Sequence, residues 1–260
     1  MTQYSDYFGP EGLLVRGTVI VVPGRGETRA TYARFGKRLA ADAYRVRVID
    51  APDLHTEALP ALAARITTAA EDTTAEDGVA GPLVLVGADS GAAAVAALLG
   101  QETGTRPDAA ILAGLPGRTP AVTATATATA GTWDEELDVR TSCPAHRGLL
   151  TQDTEVRRGS LDDAVPEAVL TAAYDSAASD SAAAVPVLLL VGDSDPLADH
   201  EALAHTAKSL ARARLSVVHG AHHDVLNDLQ HRSVAAEVVT FLETLRNELR
   251  PLITVRSSAW

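Results

Sequence analysis

The stretch that most constrains this chain runs from Pro82 to Ala94. An apolar segment, Leu83-Val84-Leu85-Val86, passes through Gly87-Ala88-Asp89-Ser90-Gly91 into Ala92-Ala93-Ala94. The pattern predicts a strand, a sharp turn and a helix, because a short Val/Leu run suits a strand buried on both faces and alanine favours helix. Glycines stand two residues before and two residues after Asp89. A residue held in a strained turn tolerates no bulky neighbour at those positions, so the frame puts Asp89, not Ser90, at the tip.

The rest of the chain repeats the same rhythm. Gly17 to Val22, Tyr44 to Asp50, Asp108 to Ala113 and Val185 to Val191 read as strands. Tyr32, Phe35 and Leu39 share one helical face, and Glu57 to Asp72, Asp199 to Ala213 and Ser233 to Leu249 read as helices, with a short strand at Leu215 to Val218. Alternating strands and helices predict an α/β fold with a doubly wound, mostly parallel sheet and right-handed crossovers. Only 16 residues precede the first of these strands, so the leading edge of the sheet is expected to be reduced. Hydrophobic residues make up 46% of the chain but aromatics only 4%, so Ala, Val and Leu must fill the interior.

The rhythm breaks between 118 and 184. A Thr-Ala alternation from Ala121 to Ala130 is followed by a charged patch from Trp133 to Arg140, then Cys143-Pro144-Ala145-His146-Arg147 and an Ala/Ser/Asp-rich stretch. The expected organisation is one core domain, 1–117 and 185–260, interrupted by an insertion at 118–184.

Three loops at strand ends carry candidate chemistry. Pro23-Gly24-Arg25-Gly26 follows the first strand, Gly192-Asp193-Ser194-Asp195-Pro196 follows a later one, and Gly220-Ala221-His222-His223-Asp224-Val225-Leu226-Asn227 follows the last. Together with Gly87-x-Asp89-x-Gly91, these resemble the α/β-hydrolase superfamily over about residues 13–117 and 185–249. The core looks like that of monoglyceride lipases and lysophospholipases, with an aspartate at the nucleophile elbow as in haloalkane dehalogenases and epoxide hydrolases. The resemblance implies a hydrolase with nucleophile Asp89, acid Asp195 (Asp193 in reserve) and base His223, in the family's chain order. It further implies an oxyanion hole from the backbone N–H groups of Arg25 and Ser90, and a lid at 118–184. Trp133, His146 and Tyr174 are the candidates for the substrate pocket.

The implied reaction is attack of Asp89 on carbon in an epoxide, carbon–halogen or ester bond, followed by hydrolysis of the Asp89 ester. Ser90 stands where dehalogenases have a halide-gripping tryptophan, and Tyr174 is the one tyrosine in the insertion where epoxide hydrolases have a pair. Two alternatives therefore stay open: a lyase or cyclase using Asp89 and His223 in acid–base roles, and an esterase or thioesterase using Ser90. Gly24-Arg25-Gly26 lacks the third glycine of a dinucleotide loop, so no cofactor is expected. His219, His222 and His223 lack the spacing of a metal site, so no metal is expected either.

The formal net charge of −12 disfavours nucleic acid and anionic membranes as partners and leaves a small-molecule substrate. The lone Cys143 excludes an internal disulfide. No apolar run approaches the roughly 20 residues that span a bilayer, and no signal peptide is apparent, so a cytoplasmic protein is expected.

Overall fold

The computed structural model describes residues 4–55, 57–71, 81–101, 106–118, 131–175 and 185–256. Seven strands form one sheet in the order β1-β3-β2-β4-β5-β6-β7. They are β1 (Tyr4–Tyr7), β2 (Thr18–Val22), β3 (Arg45–Ile49), β4 (Leu83–Ala88), β5 (Ala109–Ala113), β6 (Val187–Gly192) and β7 (Ala213–Val218). All neighbours pair in parallel except β1, which runs antiparallel to β3. β1 is a four-residue strand at the edge of the sheet.

β1 is held by charge as much as by its ladder. Asp6 stands opposite Arg47 in the register, and its two carboxylate oxygens take Arg47 Nε at 2.7 Å and Nη2 at 2.9 Å. Arg47 Nη1 donates to the Ala69 carbonyl at 2.8 Å, and the guanidinium lies 3.6 Å from the centre of the Tyr4 ring. A bidentate carboxylate, a carbonyl and an aromatic face together allow a guanidinium to be buried inside a sheet.

Side chains alternate along each strand, so the buried strands feed two cores. Val19, Val21, Val46, Val48, Val84 and Val86 face α1 (Ala33–Ala41) and α8 (His231–Arg246). Ile20, Val22, Ile49, Leu83 and Leu85 face α2 (Leu59–Glu71), α3 (Ser90–Leu99) and α6 (Glu167–Asp175). Ala92 to Ala97 of α3 are all buried, and their small side chains let the helix lie close to the sheet and to α6. α7 (His200–Ser209) completes the β6–β7 crossover.

Within 118–184, the described residues form α4 (Trp133–Arg140), α5 (Pro144–Gln152), a 3₁₀ turn at Ser160–Asp162 and α6. Val169, Leu170, Ala173 and Tyr174 of α6 belong to the core beneath the sheet, so the helix does the work of a crossover between β5 and β6. α4 and α5 have their own small apolar cluster of Leu137, Leu150 and Val156, with Trp133 and Leu149 against it. The Thr-Ala tract lies outside the described residues. Among the described residues, no helix is long and apolar enough to cross a membrane.

Candidate active site

The elbow is built as its spacing demands. Asp89 has φ 48° and ψ −119°, a conformation that costs an L-residue about 1–3 kcal/mol and persists only where its surroundings enforce it. A Cβ on Gly87 would lie 2.4 Å from the Gly91 carbonyl oxygen, and one on Gly91 would lie 2.3 Å from the Val22 carbonyl oxygen. Both positions therefore exclude any side chain. Asp89 N–H donates to the Ala113 carbonyl at 2.9 Å, tying the turn to β5. Asp89 precedes the first turn of α3 but does not cap it with its side chain.

The carboxylate turns instead toward two loops. His223 Nε2 lies 3.1 Å from Asp89 Oδ1, and His223 Nδ1 lies 3.0 Å from each carboxylate oxygen of Asp195. Asp195 Oδ1 also accepts the Leu197 N–H at 2.9 Å, which fixes its orientation. His223 is fixed through its backbone, whose N–H donates to the Val139 carbonyl at 3.2 Å. The structure thus brings Asp89, His223 and Asp195 together in one buried row. Asp193 lies outside the row, exposed and paired with His219 at 2.9 Å.

The backbone N–H of Arg25 donates to Asp89 Oδ2 at 2.8 Å, and the Arg25 side chain returns to the same carboxylate. Its Nη2 donates to Oδ1 at 2.6 Å and its Nε to Oδ2 at 2.9 Å. Nη1 donates to the carbonyls of Leu161 at 3.0 Å and Asp163 at 2.7 Å. The sequence pointed to the N–H of this residue but not to its guanidinium. No local pattern announces a pair whose members stand 64 residues apart.

Electrostatics follow from this packing. Burial alone would raise the Asp89 pKa, but the Arg25 guanidinium and the hydrogen bond from His223 overcome it and hold the carboxyl well below the usual range. Burial alone would lower His223, but the charge and hydrogen bonds of Asp195 and Asp89 push it up to about 10. At neutral pH Asp89 is therefore ionised and His223 protonated, with Asp195 against His223 and Arg25 against Asp89.

A second buried polar group lies against the first; of its members the sequence pointed only to His146. Glu27 takes the Gly24 N–H at 2.8 Å and the Tyr32 hydroxyl. His146 Nε2 lies 2.8 Å from Asp224 Oδ2, and Arg140 Nη1 lies 3.6 Å from Asp224 Oδ1. Arg140, fully buried, also donates to Glu136 at 2.9 Å, to the Arg25 carbonyl at 2.9 Å and to Ser160 Oγ at 2.9 Å. Burial, with the Asp224 charge adding to it, raises Glu27 to about 7. Glu27, His146 and Asp224 present ligand atoms within 4.8 Å of one another, a spacing that fits a metal. The guanidinium of Arg140 lies beside the same Asp224.

The three residues expected to line a pocket are engaged elsewhere. His146 is turned to Asp224. Tyr174 donates its hydroxyl to the Pro116 carbonyl at 3.1 Å inside the core, and Trp133 Nε1 donates to Thr151 Oγ1 at 3.1 Å. The cavity beside the elbow, about 540 Å³, has Arg25, Gly26, Ser90, Asp163, Val165 and Pro166 among its lining residues. None of the three contributes to it.

Comparison with known proteins agrees with this architecture. The profile of the family described as "Serine aminopeptidase, S33" matches residues 14–230. No curated protein sequence matches the chain. Among solved structures, a soluble variant of the monoglyceride lipase from Saccharomyces cerevisiae, in complex with a substrate analog, superposes with a TM-score of 0.70 at 16% identity, covering 93% of this chain and 91% of that one. The monoacylglycerol lipase of Paleococcus ferrophilus gives 0.70 at 16% identity, covering 93% and 98%. A thermophilic esterase from Thermogutta terrifontis gives 0.61 at 19%, covering 93% of each. At such identities these three show the shared fold. The profile match spans most of the chain, and with it the chain belongs to the serine aminopeptidase S33 family and is a hydrolase of the α/β-hydrolase fold.

Proposed function

We propose that this hydrolase works through Asp89 as a covalent nucleophile on a small organic substrate, with His223 and Asp195 completing the triad. The observation that carries the reading is that His223 Nε2 meets Asp89 Oδ1 while Nδ1 is bracketed by Asp195. A carboxylate needs no base to become a nucleophile, and one held well below its usual pKa is always ionised.

In the first step Asp89 Oδ1 bonds to an sp³ carbon and the leaving group departs with the bonding electron pair. Esterification removes the negative charge of Asp89 and so one of the causes that keep His223 protonated. The ring releases its proton to solvent and becomes a base, oriented by Asp195. In the second step His223 takes a proton from water as the water oxygen bonds to the ester carbon of Asp89. The resulting oxyanion at Oδ2 is held by the Arg25 N–H. Collapse breaks the bond to Oδ1, and the alcohol leaves with the original Oδ1 and the proton from His223. In this reading α4, α5 and the stretch that leads to Pro166 cap the cavity, to which Asp163, Ala164, Val165 and Pro166 contribute wall.

A serine reading has the family description in its favour. In it Ser90 would attack, but Ser90 is the first residue of α3, whereas the strained φ and the histidine both belong to Asp89.

The test uses His223→Gln with 1-bromobutane, 2-bromobutyrate and styrene oxide, which offer an sp³ carbon with and without a neighbouring carboxylate, and with p-nitrophenyl butyrate, whose acyl carbon probes the serine reading. The variant should accumulate an adduct on the peptide carrying Asp89, read by mass spectrometry. Single turnover of the wild type in ¹⁸O water should put label into the Asp89 carboxylate and leave the product oxygen unlabelled. An adduct on Ser90 would establish the serine reading. A turned-over substrate that gives neither adduct nor label would establish acid–base chemistry without a covalent step.

A further inference from the structure

Arg25 lines the cavity beside the elbow, and Asp89 does not. Arg25 and Ser90 form the cavity wall at the elbow, and the Asp89 side chain behind them is 4% exposed. Oδ1, the oxygen that has to reach carbon, already accepts from Arg25 Nη2 at 2.6 Å and faces His223 Nε2 at 3.1 Å. A carboxylate oxygen offers about two lone-pair directions, so in this arrangement Oδ1 has none left for an electrophile. The nucleophile is capped.

The cap is held from one side only. Arg25 Nη1 donates to the carbonyls of Leu161 and Asp163, bonds that the guanidinium can keep while its other edge turns from Asp89 to an incoming anion. The opposite edge, Nε and Nη2, forms the planar fork that grips Asp89. Such a fork recognises carboxylates bidentately, and another carboxylate is the group best matched to exchange with the one it holds. The exchange does not strand Asp89 as an unpaired buried charge, because its carboxylate keeps the Arg25 N–H at Oδ2 and the histidinium at Oδ1.

We propose that Arg25 is an anion receptor: a substrate carboxylate takes over its Nε and Nη2 edge from Asp89, and by doing so uncovers Oδ1 for attack. The site is thereby matched to substrates that bear a carboxylate close to the electrophilic carbon. The uncovering step rests on Asp89 being the nucleophile; the anion binding does not. Charge in the rest of the wall limits the anion to a small one. Arg157 is paired to Asp163, and Asp53 and Glu155 also line the cavity, so a polyanion meets more repulsion there than a monocarboxylate does.

The competition between Asp89 and an outside carboxylate can be measured without turnover. Propionate and its neutral isostere propionamide are titrated by calorimetry and by amide chemical shifts into wild type, Asp89→Asn, Arg25→Gln and Arg25→Lys, each checked for folding by circular dichroism. Propionate should bind the wild type at least tenfold more tightly than propionamide does. Asp89→Asn, which removes the internal competitor's charge, should tighten propionate at least tenfold further. Arg25→Gln should abolish the preference for the anion, and Arg25→Lys, which keeps the charge but loses the fork, should weaken it. Equal propionate affinity in wild type and Asp89→Asn would overturn the proposal, as would undiminished binding to a folded Arg25 variant. Failure of the Asp89 adduct experiment leaves these results standing, so the two readings fail separately.

Discussion

Asp195 holds His223 symmetrically, with Nδ1 3.0 Å from each of its carboxylate oxygens and both side chains fully buried. The neighbouring acid in the same loop, Asp193, is exposed and engaged by His219. Replacing Asp195 by Asn should leave the fold intact and slow turnover of any accepted probe by about four orders of magnitude, the scale of a lost orienting carboxylate. Asp193→Asn should change it less than about threefold, since a surface ion pair contributes little. Steady-state kinetics on the two variants checks the ranking.

The elevated His223 pKa links to stability with a definite sign. A histidine raised to about 10 in the folded state, against 6.5 without its partners, stabilises the fold fully below about 6.5. That contribution is lost as pH rises through about 10. Urea midpoints of the wild type should therefore fall from pH 7 to pH 10, and those of His223→Gln should fall less. Ring-proton shifts of His223 should show no titration below pH 8.

Glu27 gives a second window at lower pH. Its carboxyl is raised from 4.5 to about 7, so the folded state holds the proton more tightly than the unfolded chain does. The stability this confers is present below about 4.5 and is lost as pH rises through about 7. Glu27→Gln is neutral throughout and its amide oxygen still accepts from Gly24 and Tyr32, so its stability should be flatter than that of the wild type between pH 5 and 7. Parallel curves for the two proteins would refute the assignment.

The elbow glycines are a packing requirement that a methyl group tests. Gly91→Ala places its Cβ against the Val22 carbonyl oxygen at 2.3 Å, with backbone rather than a yielding side chain on the far side. Overpacking of this kind costs about 1–3 kcal/mol, so the unfolding midpoint in urea should drop accordingly. Gly81→Ala, where a Cβ would meet nothing within 4 Å, is the control.

The parts of the fold legible in the sequence are those whose partners are near in the chain or uniform in character. The strand at Leu83–Ala88 and its sister β2 read as strands because both faces are buried and every residue is apolar or small. The frame of Gly87 and Gly91 located the strained residue, because its steric demand is local. Arg25 as a guanidinium on Asp89, and Arg140 and Glu136 as buried groups, were not legible. The stretch Trp133–Arg140 reads as a charged patch, and the structure buries Glu136 and Arg140 because their partners, Gly159, Ser160 and the Arg25 carbonyl, come from other loops. Trp133, His146 and Tyr174 were singled out as large or titratable residues in the insertion, but their polar atoms find partners in α5, Asp224 and the β5 loop instead.

The placement of Trp133 has an optical consequence. The chain has two tryptophans, and Trp133, on α4 with its indole against Thr151 and the Arg158 guanidinium 5.1 Å from its ring, is the one among the described residues. It lies away from both faces of the sheet, in the small cluster of Leu137, Leu150 and Val156. A Trp133 emission signal, isolated by replacing Trp260 with Phe, would therefore register loosening of the α4–α5 pair, while far-ultraviolet ellipticity would register the sheet and its flanking helices. Where the two denaturation traces separate, the gap between them measures how far that helix pair melts on its own.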